Sequence, residues 1–135
     1  MIRFEPLDTQ TLHNFNPIPL QEWAMESTIS MFDSGFPPHQ AAMFDGDDCI
    51  LIMGLIEHEP GIFWTWTIFG VGFRPIHYKY FKIFWKNYLN LLEYKQISHI
   101  IDKQKAWTRH MAKTLGFEYS HEHDEQYEWW ILNGS

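Results

Sequence analysis

Between residues 62 and 117 the apolar positions change period in an order that predicts strand, helix, strand, helix. The run from Ile62 to Phe69 is aromatic and β-branched, the composition of a strand. Neither of its alternate faces carries a charge, which predicts a central strand covered on both sides. Gly70-Val71-Gly72 is prone to kink, and Pro75 can open a helix. The spacing predicts that helix over 76–94, with an apolar stripe of Phe81, Phe84, Trp85, Tyr88 and Leu92. Lys79, Lys82, Lys86 and Glu93 lie off the stripe. Ile97 to Ile101 reads as the next strand. A second helix over 103–115 stops at Gly116. A strand–helix–strand crossover implies parallel strands in the right-handed sense, and ligands in such sheets sit at the carboxyl ends of the strands.

The rest of the chain is covering material. Ile2 to Glu5 alternates as a short first strand. Asp8 or Thr9 can cap a helix running to about Phe15, which Asn16-Pro17-Ile18-Pro19 breaks. Leu20 to Asp33 is helical, with Trp23, Ile29 and Phe32 among its apolar positions, and Ser34-Gly35-Phe36-Pro37-Pro38 ends it. Ala41 to Phe44 is a strand, Asp45 to Asp48 a tight turn, and Cys49 to Ile56 a strand apolar on both faces. Glu57-His58-Glu59-Pro60-Gly61 is expected to turn the chain into the central strand. Phe117 to Ser120 and Tyr127 to Leu132 are the last two strands, with His121, His123, Asp124 and Glu125 in a polar loop between them. His39 and His58 are expected in exposed loops, and residues 133–135 as a frayed tail. No repeat or linker interrupts the chain, so residues 1–135 are expected to form a single domain.

Aromatic residues make up 18% of the 135, with seven Trp, and hydrophobic residues 45%. That supplies a core of large rings and excludes a disordered chain. The single Cys49 cannot form an internal disulfide, which fits a reducing compartment. No apolar run is long enough to span a membrane, and the amino terminus has no signal-peptide pattern, so a soluble, intracellular protein is expected. The net charge of −7 is unevenly spread. Residues 1–73 hold one basic and ten acidic residues; residues 74–113 hold nine basic and two acidic; residues 114–135 hold five acidic and no Lys or Arg. The middle segment is either a set of solvated helix faces or an electropositive patch for phosphate or an acidic partner. The overall sign argues against general nucleic-acid binding.

The element order, the length, and the closing Lys113-Thr114-Leu115-Gly116-Phe117 followed by two strands resemble the GCN5-related N-acetyltransferase (GNAT) family. Asp45-Gly46 followed by a buried strand with Gly54 is similar to that family's second and third strands. The resemblance covers nearly the whole chain. It implies an α/β (α+β) protein with a mixed, mostly antiparallel sheet of about seven strands, the fourth and fifth parallel and splayed. It also implies acetyl-CoA between those two strands and acetylation of an amine.

Residue by residue, the chain departs from the family's chemistry. Active members carry Arg/Gln-x-x-Gly-x-Gly/Ala before the third helix, where glycines let main-chain N–H groups close around a pyrophosphate. The matching stretch is Arg74-Pro75-Ile76-His77-Tyr78-Lys79, with His77 and Lys79 at the glycine positions and a proline that has no N–H. Arg74, His77, Lys79 and Lys82 remain candidates to meet phosphate through their side chains. The family's acidic base on the fourth strand has no counterpart between Ile62 and Phe73, leaving Glu57 and Glu59 on the preceding segment. Its general acid, a Tyr, falls at Ala112, with His110 nearby as a substitute. His121 and His123 are metal-ligand types that chelate only with further ligands. Cys49 has no partner that would make it a nucleophile.

The Trp-rich strand after Glu59-Pro60-Gly61, the lost glycine loop and the aromatic last strand also resemble small GNAT-like proteins of short-tailed bacteriophages, some of them internal virion or scaffold-like proteins. That resemblance implies a virion-associated or host-takeover module in the virion or host cytoplasm, binding a protein partner or another copy, with no cofactor. Its contact surface is expected on Arg74, Lys79, Lys82 and Lys86, with Phe73, Tyr78 and Tyr80 as aromatic anchors. The alternative is an active acetyl-CoA-dependent N-acetyltransferase with substituted groups. A third reading is a small metal-binding protein using His121 and His123.

Overall fold

The computed structural model describes residues 1–33, 35, 39–103 and 105–134, with the backbone alone of Leu20 and Trp23. The helix stop expected over 34–38 falls outside these residues except for Gly35, as do the Trp23 side chain and Ser135. The elements are β1 (Ile2–Glu5), α1 (Thr9–Asn14), α2 (Glu22–Asp33), β2 (His39–Asp45), β3 (Asp48–Glu59), β4 (Ile62–Phe69), α3 (Tyr78–Leu91), β5 (Gln96–Asp102), α4 (Ala106–Thr114), β6 (Glu118–Glu122) and β7 (Tyr127–Asn133). Short 3₁₀ turns at Pro19–Gln21 and Pro75–His77 lead into α2 and α3. The strands form a seven-stranded mixed sheet in the order β1-β2-β3-β4-β5-β7-β6. β4 and β5 run parallel, Ile62 beside Gln96 and Trp64 beside Ser98, while the other registered pairs are antiparallel. Among the described residues no helix is long and apolar enough to cross a membrane.

The chain divides into two compact units. The first comprises Met1–Ile56 and Trp66–Tyr78. Its core gathers Leu12 and Phe15 with Met25 and Phe32 from α2, Phe44 and Ile52 from the sheet, and Ile68 from β4. Asp8 caps α1 as expected, its carboxylate accepting from the Thr11 N–H at 2.7 Å. The second unit comprises Glu57–Thr65 and Lys79–Ser135. Its centre is Trp85, whose indole N–H donates to the Leu115 carbonyl at 3.2 Å and whose ring stacks on Phe117. α4 ends as its sequence predicts: Gly116 takes φ +100°, its N–H donates to the Lys113 carbonyl, and the Phe117 N–H reaches back to Ala112. This left-handed cap satisfies carbonyls that the last helical turn leaves open.

Several boundaries differ from the sequence reading. β3 continues through Glu57, His58 and Glu59, so only Pro60-Gly61 makes the turn, with Gly61 at φ +80°. His58 is therefore a strand residue, and half-buried His39 opens β2. α3 starts at Tyr78 because the turn before it is 3₁₀, and it ends at Leu91; α4 begins at Ala106, after a turn in which the Asp102 carboxylate accepts from the Lys105 ammonium and the Lys103 N–H donates to the Gln126 carbonyl. His121 lies in β6, registered with Trp129, outside the expected loop. β4 is central but not covered on both sides throughout, since Trp64 is 46% exposed. The tail does not fray at Gly134, whose N–H donates to the Lys95 carbonyl at 2.8 Å.

Candidate functional site

The stretch between β4 and α3 is where the family would hold a pyrophosphate. Gly70 and Gly72 lie there, but both glycines serve close packing. A Cβ on Gly70 would stand 3.1 Å from the Ile50 carbonyl oxygen, and one on Gly72 would stand 2.5 Å from an Asp48 carboxylate oxygen. The Gly70 N–H already donates to that Ile50 carbonyl at 2.8 Å. These glycines let the chain lie against β3.

The next four residues are closed by their own hydrogen bonds. The Arg74 N–H donates to Nδ1 of His77 at 2.9 Å, and the His77 N–H returns to the Arg74 carbonyl at 2.9 Å. The Tyr78 N–H donates to the Pro75 carbonyl, and Pro75 has no N–H. His77 is 6% exposed and its Nε2 meets an Asp45 carboxylate oxygen at 2.9 Å. Because Nδ1 accepts, Nε2 carries the proton and donates it to Asp45. That bond, with the Met1 ammonium at 3.3 Å, holds the Asp45 carboxyl below the usual carboxylate range. The His77 ring packs beside Phe73, which meets Phe69 at 4.9 Å between centroids. As built, this loop does not fit a pyrophosphate gripped by main-chain amides. The Asp45 partnership, across a separation of 32 residues, is a feature that sequence reasoning missed, and no local pattern carries it.

The basic residues divide by exposure. Arg74, Lys79 and Lys86 are exposed, whereas Lys82 is half-buried, so the three lysines do not form a uniformly exposed stripe. The Lys79 ammonium stands 5.1 Å from the Tyr80 ring centroid, a cation–π geometry. Tyr80 is 40% exposed, while Phe73 and Tyr78 are half-buried. Ile83, 57% exposed on α3, adds an apolar residue to the outer face of that helix and was not anticipated.

The acid–base candidates are dispersed along the second unit. Glu57 and Glu59 sit exposed at the end of β3, and Glu57 accepts the Gly61 N–H at 3.1 Å. His110 is exposed on α4. Ala112, at the family's Tyr position, is 2% exposed and is part of the packing between helix and sheet. A further histidine escaped the sequence reading. His99 on β5 makes a 3.2 Å contact from Nδ1 to the Thr65 carbonyl, one residue beyond the last registered β4–β5 pair, and burial lowers its pKa. Cys49 is partly buried and its thiol is pushed up to about 11, chiefly by that burial.

The metal candidates are not assembled with further ligands. His121 contacts the Ser120 hydroxyl through Nδ1 at 2.8 Å, and His123 Nδ1 accepts from the Trp129 indole N–H at 3.1 Å. Among the described residues no group of three or more His, Cys, Asp or Glu is placed to hold a metal ion.

No protein-family model and no curated protein sequence matches the chain. Solved structures do match. The chain superposes on the Campylobacter jejuni N-acetyltransferase PseH in complex with acetyl coenzyme A at TM-score 0.67 and 9% identity, covering 100% of both chains. It superposes on Vibrio cholerae spermidine N-acetyltransferase in complex with CoA and spermine at TM-score 0.73 and 11% identity, over 98% of this chain and 95% of the other. A GNAT-family acetyltransferase from Bacillus anthracis gives TM-score 0.68 at 6% identity, over 98% and 94% of the two chains. At such identities the likeness reaches the fold alone: this chain is built on the GCN5-related N-acetyltransferase fold.

Proposed function

We propose that the chain uses this fold as a protein-binding module without acetyltransfer. The observation that carries the proposal is the closed turn before α3. The N–H groups of Arg74, His77 and Tyr78 are engaged within the turn, Pro75 has none, and His77 is buried against Asp45. Grip on a pyrophosphate by that main chain would first require those bonds to break. Ala112 adds support, because a buried methyl has no proton for a leaving thiolate.

The contact surface in this reading is the basic segment: Arg74, Lys79 and Lys86, with half-buried Lys82 and the ring of Tyr80. Phe73 and Tyr78, both half-buried, are the further aromatic residues assigned to it. Its partner is acidic or phosphate-bearing. The setting, as part of the same proposal, is a phage particle or the cytoplasm of an infected cell.

A second reading is an acetyltransferase with substituted groups. It is favoured by the fold and by neighbours whose structures hold acetyl coenzyme A or CoA. Arg74, Lys79 and Lys82 would then contact phosphates, with Glu57, Glu59 or His110 left for proton transfer.

Titration calorimetry with acetyl-CoA separates the two. The binding-module reading expects nothing tighter than roughly 100 μM, a free energy of about −5.5 kcal/mol. Micromolar binding would overturn it. For the contact surface, Lys79→Glu, Lys82→Glu and Lys86→Glu together should abolish partner capture at low salt; a triple variant that behaves like wild type refutes that assignment.

A further inference from the structure

We infer that the basic face of α3 takes as its acidic partner the α2 helix of a second copy of this chain; the inference rests on the binding-module reading and names its partner. The two helices carry stripes of matched spacing. On α2 the exposed residues Glu26, Ser30 and Asp33 stand at i, i+4 and i+7. On α3 the exposed residues Lys79, Ile83 and Lys86 stand at the same intervals. At 3.6 residues per turn each trio falls within an arc of about 60° and extends about 10.5 Å along its helix. Met25, Thr28 and Phe32 of α2, and Phe81 and Trp85 of α3, are buried and lie on the far side of each helix. One outward stripe therefore has two carboxylates with a small residue between them, and the other has two ammonium groups with an isoleucine between them.

These charges have no partner among the described residues of their own chain. Arg3, Lys103, Lys105 and Arg109 each hold a carboxylate. Lys82 and Lys86 hold none, Lys79 has only the Tyr80 ring, and Glu26 and Asp33 make no ion pair or hydrogen bond. Residues 4–73 contain no Lys or Arg that could serve them. Their placement also works against the helices that carry them. Glu22 and Glu26 are four residues apart, as are Lys82 and Lys86, a like-charge spacing that disfavours a helix. Asp33 is the last residue of α2 and Lys79 the second of α3, so each sits at the pole of its helix that repels it. A partner of opposite sign relieves both effects.

A second copy supplies that partner in both charge and spacing. Laid antiparallel, α2 of one copy brings Asp33 to Lys79 and Glu26 to Lys86 of the next, with Ile83 covering Ser30. The antiparallel direction joins the two charges that stand at the wrong helix poles and sets the helix dipoles against each other. The α2 and α3 faces are different surfaces, so the contact is heterologous: each copy offers one acidic and one basic face, and copies join head to tail. A contact two helical turns long buries less than the roughly 1,200 Å² of a stable complex, so the association is weak and depends on concentration.

Sedimentation velocity is the test. The average mass of wild type should rise between about 20 μM and about 500 μM protein at about 50 mM salt, and return to the monomer at about 0.5 M salt, where exposed pairs are screened. Lys79→Glu with Lys86→Glu, and separately Glu26→Lys with Asp33→Lys, should each stay monomeric, because each variant carries two faces of one sign. An equimolar mixture of the two variants should associate again, since the exchanged charges then meet. All four positions are exposed, and the changes at 33 and 79 suit their helix poles, so circular dichroism should show the fold retained. A wild type that is monomeric throughout, a double variant that still associates, or a mixture that does not overturns the proposal. So does rescue of Lys79→Glu by Glu26→Lys in place of Asp33→Lys. A monomeric wild type refutes the second copy alone, whereas micromolar acetyl-CoA binding refutes the binding-module reading, so the two failures are distinguishable.

Discussion

Replacing His77 with Ala is the most direct test of the closed turn. The side chain is 6% exposed, so truncation removes a packed ring as well as two hydrogen bonds. The lost bond from the Arg74 N–H is between neutral groups and contributes about 1 kcal/mol. Removing the ring from its place beside Phe73 adds about 1–2 kcal/mol, depending on how far the site collapses. The expected destabilisation is therefore about 2–3 kcal/mol before the Asp45 bond is considered. With a urea slope of about 1–3 kcal/mol/M, the midpoint should fall by roughly 1–2 M. His77→Asn separates the two contributions: its side-chain oxygen can accept the Arg74 N–H, as an Asx cap does, but the side chain is too short to replace the whole ring. Asn should recover roughly half of the loss. Tryptophan fluorescence reports the transition. If His77→Ala lies within about 0.5 kcal/mol of wild type, the turn is not held by this ring and the argument against an amide cradle fails with it.

Two further outcomes follow from the titrating groups. Cys49, with its pKa pushed up to about 11, should react with iodoacetamide at pH 8 roughly 100-fold more slowly in the native protein than in urea; equal rates would contradict its burial. Glu128 is 2% exposed and its pKa is lowered, first by the Arg109 guanidinium at 2.7 and 3.0 Å and then by the Trp130 indole N–H. A carboxylate depressed in the folded state contributes stability that is full above its unfolded value, about 4.3, and is lost as pH falls through the folded value. Urea midpoints measured from pH 6 to pH 2 should therefore drop less steeply for Glu128→Gln than for wild type. The remaining slope belongs to Asp8, Asp45 and Asp124, which are depressed in the same direction.

What the sequence disclosed depended on whether its signals were local. β4 was read to the residue because β-branched and aromatic composition, the Pro60-Gly61 turn and Gly70 all agree within one short window. Gly116 announced the end of α4 because a left-handed cap is a one-residue requirement. β3 was read too short because Glu57, His58 and Glu59 look like loop residues; the strand continues there because His58 has Trp64 to lie against, a contact made across the sheet. His121 was assigned to a loop for the same reason, since only the register with Trp129 makes it a strand residue. The candidate site was half visible. His77 and Lys79 in place of glycines could be seen by position, but the lock on His77 depends on Asp45, and the exposure of Lys82 depends on how α3 sits.

Two of the positions where this chain departs from the GNAT pattern, His77 and Ala112, are buried, while Lys79 at the other glycine position is exposed. His77 is buried and bonded at both ring nitrogens. Ala112 is buried between helix and sheet. Gly72, the glycine that could pass for part of a phosphate loop, faces the Asp48 carboxylate, which would repel a phosphate. A catalytic group is normally held partly unsatisfied and open to substrate, at a cost in stability. Here each of these places has been given over to packing or to internal hydrogen bonds. The exposed features lie elsewhere, as cationic side chains on and before α3 and as the Trp64 ring on β4. The closed turn before α3 and the exposure of Trp64, Ile83, Tyr80 and Ile100 are the features on which the binding-module proposal stands or falls.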